Sequence, residues 1–224
     1  MSLAVFKDNH FTLMGTKYFV ANAQTVSVGS YGQKATPVFG QNKLEVKDHI
    51  PAPKLDGKIK QVAPALLDSV SSKKSDFTSA VGATLKVFGF NGSVSTIYDE
   101  LAKNHLKFVQ FWMEENSIKD AANGSPKVLD DLRLYGGSAR IAHQLIVIME
   151  ASWATSFTGA TNYDFSADAA GIISIQASGG AAVSGKDHIT LSAGTGIAYL
   201  LLKLDWANGK NSIVNTHVDE WSLN

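Results

Sequence analysis

The sequence predicts an α+β fold, a twisted antiparallel sheet with a few helices packed on one side. Three observations carry this expectation. In Leu145-Ile146-Val147-Ile148-Met149 both faces are apolar, as in a strand covered on both sides. Ile197-Ala198-Tyr199-Leu200-Leu201-Leu202-Lys203-Leu204 repeats that character. Between them, glycine-rich turns at residues 179–185 and at Gly194-Thr195-Gly196 bracket shorter alternating runs.

Taken in order, residues 4–39 read as short strands and turns. Phe11-Thr12-Leu13-Met14 and Tyr18-Phe19-Val20 flank Gly15, and Thr25-Val26-Ser27-Val28 alternates before a turn at residues 29–32. Residues 40–58 hold Pro51, Pro53 and Gly57 and read as an irregular connection. Ile59, Val62, Ala63, Leu66, Leu67 and Val70 recur at helical spacing, with a helix start expected at Pro64. Ser71–Ser75 is a polar loop.

Residues 80–116 fit two patterns. Leu85–Phe90 alternates like a strand, Asn91-Gly92 is a tight-turn dipeptide, and Val94, Thr96 and Tyr98 share one strand face. Ile97, Leu101, His105, Phe108 and Trp112 also fit a helix face. The favoured reading is two strands joined by a charged bend at Asp99–Asn104. A helix follows: Ser125 is the candidate N-cap, Pro126 takes the first helical position, Val128, Leu129, Leu132 and Tyr135 form the buried stripe, and Gly136-Gly137 ends it. Ile173, Ile175 and Ala177 share a strand face, Ile189-Thr190-Leu191 is a strand, and a further strand is expected at Ile213-Val214. Trp221, so near the end, marks a docked tail over 207–224. The expected organisation is one domain over 1–224, with 1–58 an irregular β/loop part.

Composition narrows function. The chain has 224 residues, 45% of them hydrophobic, with 20 basic and 20 acidic side chains. Neutrality argues against a dedicated nucleic-acid binder and against constitutive adhesion to an anionic membrane. The absence of cysteine excludes thiolate zinc sites and cysteine catalysis, and fits a cytoplasmic location. Neither a signal peptide nor an apolar run of membrane-helix length is visible, so entry into a bilayer is expected through β-strands or at the interface.

Local chemistry is sparse. Gly180–Lys186 has P-loop spacing, but Asp187 stands where Ser or Thr is needed and a strand follows in place of a helix. Asp8 and His10, Asp48 and His49, Asp187 and His188, and His217 with Asp219 are local acid–histidine pairs, explained by surface hydrogen bonding more simply than by metal. No G-x-S-x-G elbow is present, and Glu114-Glu115 on a strand would point to opposite faces. No catalytic residue, metal or cofactor is expected, and the chain is read as a non-enzyme. Lys73, Lys74, Lys103 and Lys107 form short basic clusters, solvated by default and candidates for lipid headgroup contact.

The run Val183–Leu204, a short Gly185-Lys186 turn, an Ile189-Thr190-Leu191 strand, a glycine and an apolar strand, resembles a signature near the end of the gasdermin pore-forming domain. The helix Ser125–Tyr135 leading into Leu145–Ala151, and Leu85–Phe90 with Leu106–Met113, follow the same order of elements. The resemblance covers about residues 80–206. The chain is neutral where the family's pore domains are usually basic, and residues 1–50 have no counterpart. The resemblance implies a protein that is autoinhibited until activated. It then forms a homo-oligomer and inserts regions of about 83–113 and 145–177 into membrane lipid as β-hairpins. Val87, Phe90, Val94, Phe108, Val147, Met149, Phe157, Ile173 and Ile175 would lie in those hairpins, and Trp221 in an inhibitory tail. The alternative is a binding or assembly domain that uses the sheet to pair with a partner's edge.

Overall fold

A computed structural model describes residues 4–7, 9–38, 40–65, 73–81, 85, 87, 90–158, 162–167, 173–178, 188–191 and 195–222. Over these residues the chain is α+β: a ten-stranded antiparallel sheet carries the helices, and a three-stranded sheet stands beside it.

Strands β1 (Ala4–Lys7), β2 (His10–Leu13) and β3 (Thr16–Phe19) form a meander. The β2–β3 loop has only Met14 and Gly15, both at positive φ (51° and 91°), the twist that two-residue hairpins favour. A 3-10 turn at Ala23–Thr25 stands where Thr25–Val28 suggested a strand, because the Ala23–Val26 backbone closes on itself and buries Ala23 and Val26. Strand β4 (Ser30–Ala35) replaces the turn expected at 29–32. Residues 40–58 are ordered as β5 (Lys43–His49) and a short α1 (Ala52–Leu55). Gly32 permits this pairing: a Cβ there would lie 1.9 Å from the Glu45 carbonyl oxygen.

The helix expected from Pro64 is instead the end of β6 (Ile59–Ala65), which pairs with β7 (Leu106–Met113) through Ile59↔Met113 and Ala65↔Phe108. Pairing to β7 overrides the helical spacing, with a register irregularity just before Ala65. Helices α2 (Lys74–Val81) and α3 (Val94–Ala102) lie between them. The expected strand at 94–98 and the bend after it are α3, because Ser93 accepts a hydrogen bond from the Thr96 amide and Ile97, Tyr98 and Leu101 bury one helix face. Helix α4 (Glu115–Asn123) buries Ile118, Ala121 and Ala122, so Glu114-Glu115 opens a helix and is not strand. Helix α5 (Pro126–Tyr135) has its expected bounds and ends at Gly136 with φ 51°, but the Ser125 hydroxyl donates back to Ala121 instead of capping.

Strand β8 (Ala139–Glu150) is followed by α6 (Ala151–Thr158), then β9 (Asn162–Ala167), β10 (Ile173–Ser178) and β11 (His188–Leu191), which make the small sheet. Strand β12 (Gly196–Trp206) returns beside β8, and β13 (Ile213–Asp219) lies along β12's outer edge. Both β8 and β12 are buried on two faces, as their sequences require. On one face Leu145, Val147, Met149, Tyr199 and Leu202 pack against α4 and α5. On the other, Ile146, Ile148, Ala198 and Leu200 join Phe6, Phe11, Phe77 and α3. At about 25 cal/mol per Å² of apolar surface, each large side chain so buried contributes roughly 1.5–3 kcal/mol.

Candidate functional site

Four neighbouring strands, β6-β7-β8-β12, define the site. All pairs are antiparallel, and Leu106 faces Glu150 while Val147 faces Gly196. Hence β6 and β8 end, and β7 and β12 begin, at the same end of the sheet. Two long connections, 66–105 and 151–195, leave and return there. The Ala151 amide donates to the His105 carbonyl at 2.9 Å, so the two connections touch where they join the sheet.

Of the hairpin candidates, Phe108 is buried on one face of the sheet and Val147 and Met149 on the other. Val87 is buried and bridged to Phe90, and Phe90 and Val94 pack against the Phe108 side. Phe157 lies in α6, and Ile173 and Ile175 in β10; their side chains fall outside the described ones. Within the region of about 145–177 expected to insert as strand, Ala151–Thr158 is helical, with Ala154 buried. The lysines do not form one bare patch. Lys74 pairs with Asp99 at 2.7 Å and Lys103 with Glu100 at 2.9 Å, while Lys73 is exposed and Lys107 half-buried on β7. The hydrogen bonds from Lys103 and His105 hold Glu100 below the usual carboxylate range.

The tail is held at three places. Strand β13 covers β12 from Leu201 to Trp206. The Asp219 carboxylate receives Lys34 Nζ at 2.9 and 3.1 Å and Arg140 Nε at 2.5 Å, with all three side chains at most 14% exposed. Trp221 is buried, its amide donates to the Lys17 carbonyl at 2.9 Å, and its ring stacks on His10. Burial, then Lys17 and Lys7, push the His10 pKa down.

A polar cleft of about 490 Å³ opens where β7 meets α4, lined by Met113, Glu115, His143, Thr216 and their neighbours. His143 lies in β8 where the β12 pairing slips, since Leu200 faces Gln144 but Leu201 faces Ala142. It is 3% exposed, and burial pushes its pKa down to about 4 against a weaker upward effect of its bond to Met113. The imidazole is therefore neutral at pH 7. Its Nδ1 lies 3.3 Å from the Met113 carbonyl oxygen. A carbonyl only accepts, so Nδ1 carries the proton and Nε2 is a bare acceptor. That Nε2 is buried and has no hydrogen-bond partner among the described residues.

In the sequence His143 belongs to none of the local acid–histidine pairs. No local signal could find it, because the bulge and the β7 terminus create its surroundings. The suggested His217–Asp219 pair is not formed: His217 bonds Asp205 across the β12–β13 ladder at 2.7 Å, and Asp219 serves Arg140 and Lys34. His49 bonds Ser27 and Ser30 through Nδ1, and burial lowers its pKa. Among the described residues no group of three or more His, Asp or Glu could hold a metal ion, and no helix is long and apolar enough to cross a membrane. Comparison with protein-family models, with curated proteins and with solved structures found no match.

Proposed function

We propose that the chain is a pore-forming protein that stays autoinhibited until its tail is released, then oligomerises and inserts β-hairpins into membranes. The observation that carries this reading is the common exit of the two long connections from one end of the β6-β7-β8-β12 sheet. A membrane strand needs about 9–11 residues. Connections of the length of 66–105 and 151–195 hold two such strands and a turn each. The three existing ladders would then lengthen without changing partners.

The sequence after β8 suits this. Read as continued strand, Val147, Met149, Ala151, Trp153, Thr155 and Phe157 fall on one face. Ile148, Glu150, Ser152, Ala154, Ser156 and Thr158 fall on the other. Such a sheet leaves no edge in lipid only if copies close into a ring, head to tail. Among the described residues β6 has β7 as its one strand neighbour, whereas β12's far edge is occupied by β13 and, at Tyr199, by β3. Release of residues 207–224 would expose that edge from Leu201 to Trp206, and β3 would have to part from Tyr199 for the rest to open.

Dye release from anionic liposomes tests this, comparing the intact chain with a form cut after Trp206. A lock controls for it: Lys203 and His217 face each other across β12 and β13, so a Lys203→Cys/His217→Cys pair can bridge them. Leakage on cutting, and none while an uncut tail is cross-linked, is the expected result. A folded, cut, monomeric protein that leaks nothing would overturn the reading. It would leave the open β6 edge to the second one, a domain that assembles by strand pairing without lipid.

A further inference from the structure

We infer that the cleft around His143 is a binding site for a small organic cation carrying a primary ammonium group. This does not depend on pore formation. The cleft is lined by Trp112, Glu114, Glu115, Asn116 and His143, together with Thr216 of β13. That set holds two carboxylates and no Lys or Arg. Its volume lies within the range of small-molecule sites.

The two carboxylates differ. Glu114 is engaged by Lys60. Glu115 opens α4, receives the Thr216 hydroxyl at 3.2 Å, and has no ion-pair partner among the described residues. It therefore offers a negative charge that no side-chain cation among the described residues neutralises, with lone pairs to spare. The second observation is independent of charge. His143 lines the same cleft, is almost wholly buried, and carries an Nε2 lone pair that nothing among the described residues satisfies. A buried acceptor without a donor is costly and calls for one. Neutral imidazole nitrogen, carboxylate and amide oxygens all seek N–H donors, and an ammonium brings three. A carboxylate or phosphate ligand would meet repulsion from Glu115 and a lone pair at His143. Trp112 adds an aromatic wall of the kind organic cations select. The chain already uses it so, with Lys60 Nζ 5.4 Å from the ring centroid.

The test is a titration of the full chain with 1,4-diaminobutane against 1,4-butanediol, a neutral probe of the same shape, at about 0.15 M salt to screen exposed carboxylates. Calorimetry reads affinity and nitrogen NMR reads His143. Saturable diamine binding is expected, with a shift of the His143 Nε2 resonance and no binding of the diol. Glu115→Gln keeps an acceptor for Thr216 and should weaken the diamine at least about tenfold, since a charge-assisted bond becomes a neutral one. Absence of saturation, equal binding of diol and diamine, an unchanged Glu115→Gln affinity, or binding without a His143 shift would each overturn the inference.

Discussion

The indole of Trp221 lies flat on the imidazole of His10, with ring centroids 4.3 Å apart and planes 13° from parallel. The contact joins the segment after β13 to the N-terminal meander. Because the indole is 6% exposed, Trp221→Ala removes a large buried surface. A loss of about 3 kcal/mol in urea unfolding is expected. Under the pore reading the same variant should leak without a cut; tight vesicles with Trp221→Ala would show that the ring stabilises the fold without latching it.

Asp219, two residues before Trp221, holds the same tail through charge. Asparagine at this position leaves Lys34 and Arg140 facing each other with no counter-charge in a nearly dry site. Asp219→Asn should cost about 3 kcal/mol, the scale for breaking a buried ion pair. Hydrogen exchange should localise the loosening to β13. A protection pattern unchanged from wild type would show that the β12–β13 ladder alone fixes the strand.

Acid should loosen the cleft. His143 titrates near 4 when folded and near 6.5 when unfolded, so the unfolded chain binds the proton first. Its contribution is complete above pH 6.5 and is lost as pH falls towards 4, by up to about 3 kcal/mol. His10 and His49 are shifted in the same direction and add to the slope. Comparing unfolding at pH 7 and pH 4.5, His143→Gln should flatten the dependence without abolishing it. An identical slope in both proteins would remove His143 from the account.

The Tyr199 hydroxyl accepts from the Leu44 amide and donates to the Ala21 carbonyl, both at 2.8 Å, inside the core. Tyr199→Phe strands two backbone groups without changing shape. A loss of about 1–3 kcal/mol is expected in chemical denaturation. No loss would mean that water replaces the hydroxyl.

Met14 offers a change in the opposite direction. It is 70% exposed at φ 51°, a conformation that asparagine adopts more readily. Met14→Asn should stabilise by about 0.5 kcal/mol, read as a small rise in Tm.

The central sheet was legible because its pattern has one cause. Apolar residues on both faces of 145–149 and 197–204 have no use outside a strand covered twice, and β8 and β12 follow. Helix α5 was legible from Pro126 and Gly136, which start and stop a helix by their own backbone geometry. Residues 94–102 satisfied both periods, and the Ser93 cap with burial of Ile97 and Leu101 decided for α3. At 59–65 helical spacing was present, yet β7 offered a ladder, and long-range pairing overrode local preference. Helix α6 lacks an apolar stripe that a period could detect. The cleft was illegible for a different reason. Its members come from β7, α4, β8 and β13, and only the fold brings His143, Glu115 and Thr216 to one cleft.

Strand β8 is apolar on both sides, so sliding it by one residue would exchange one greasy surface for another at little cost. Its alignment must be indexed by something else. Three polar side chains sit in a short span, and each has an address elsewhere: Arg140 at Asp219, His143 at the Met113 carbonyl, Gln144 at the Tyr18 hydroxyl. They act as teeth on an otherwise smooth rod, and a chain lacking them would fold into a mixture of offsets.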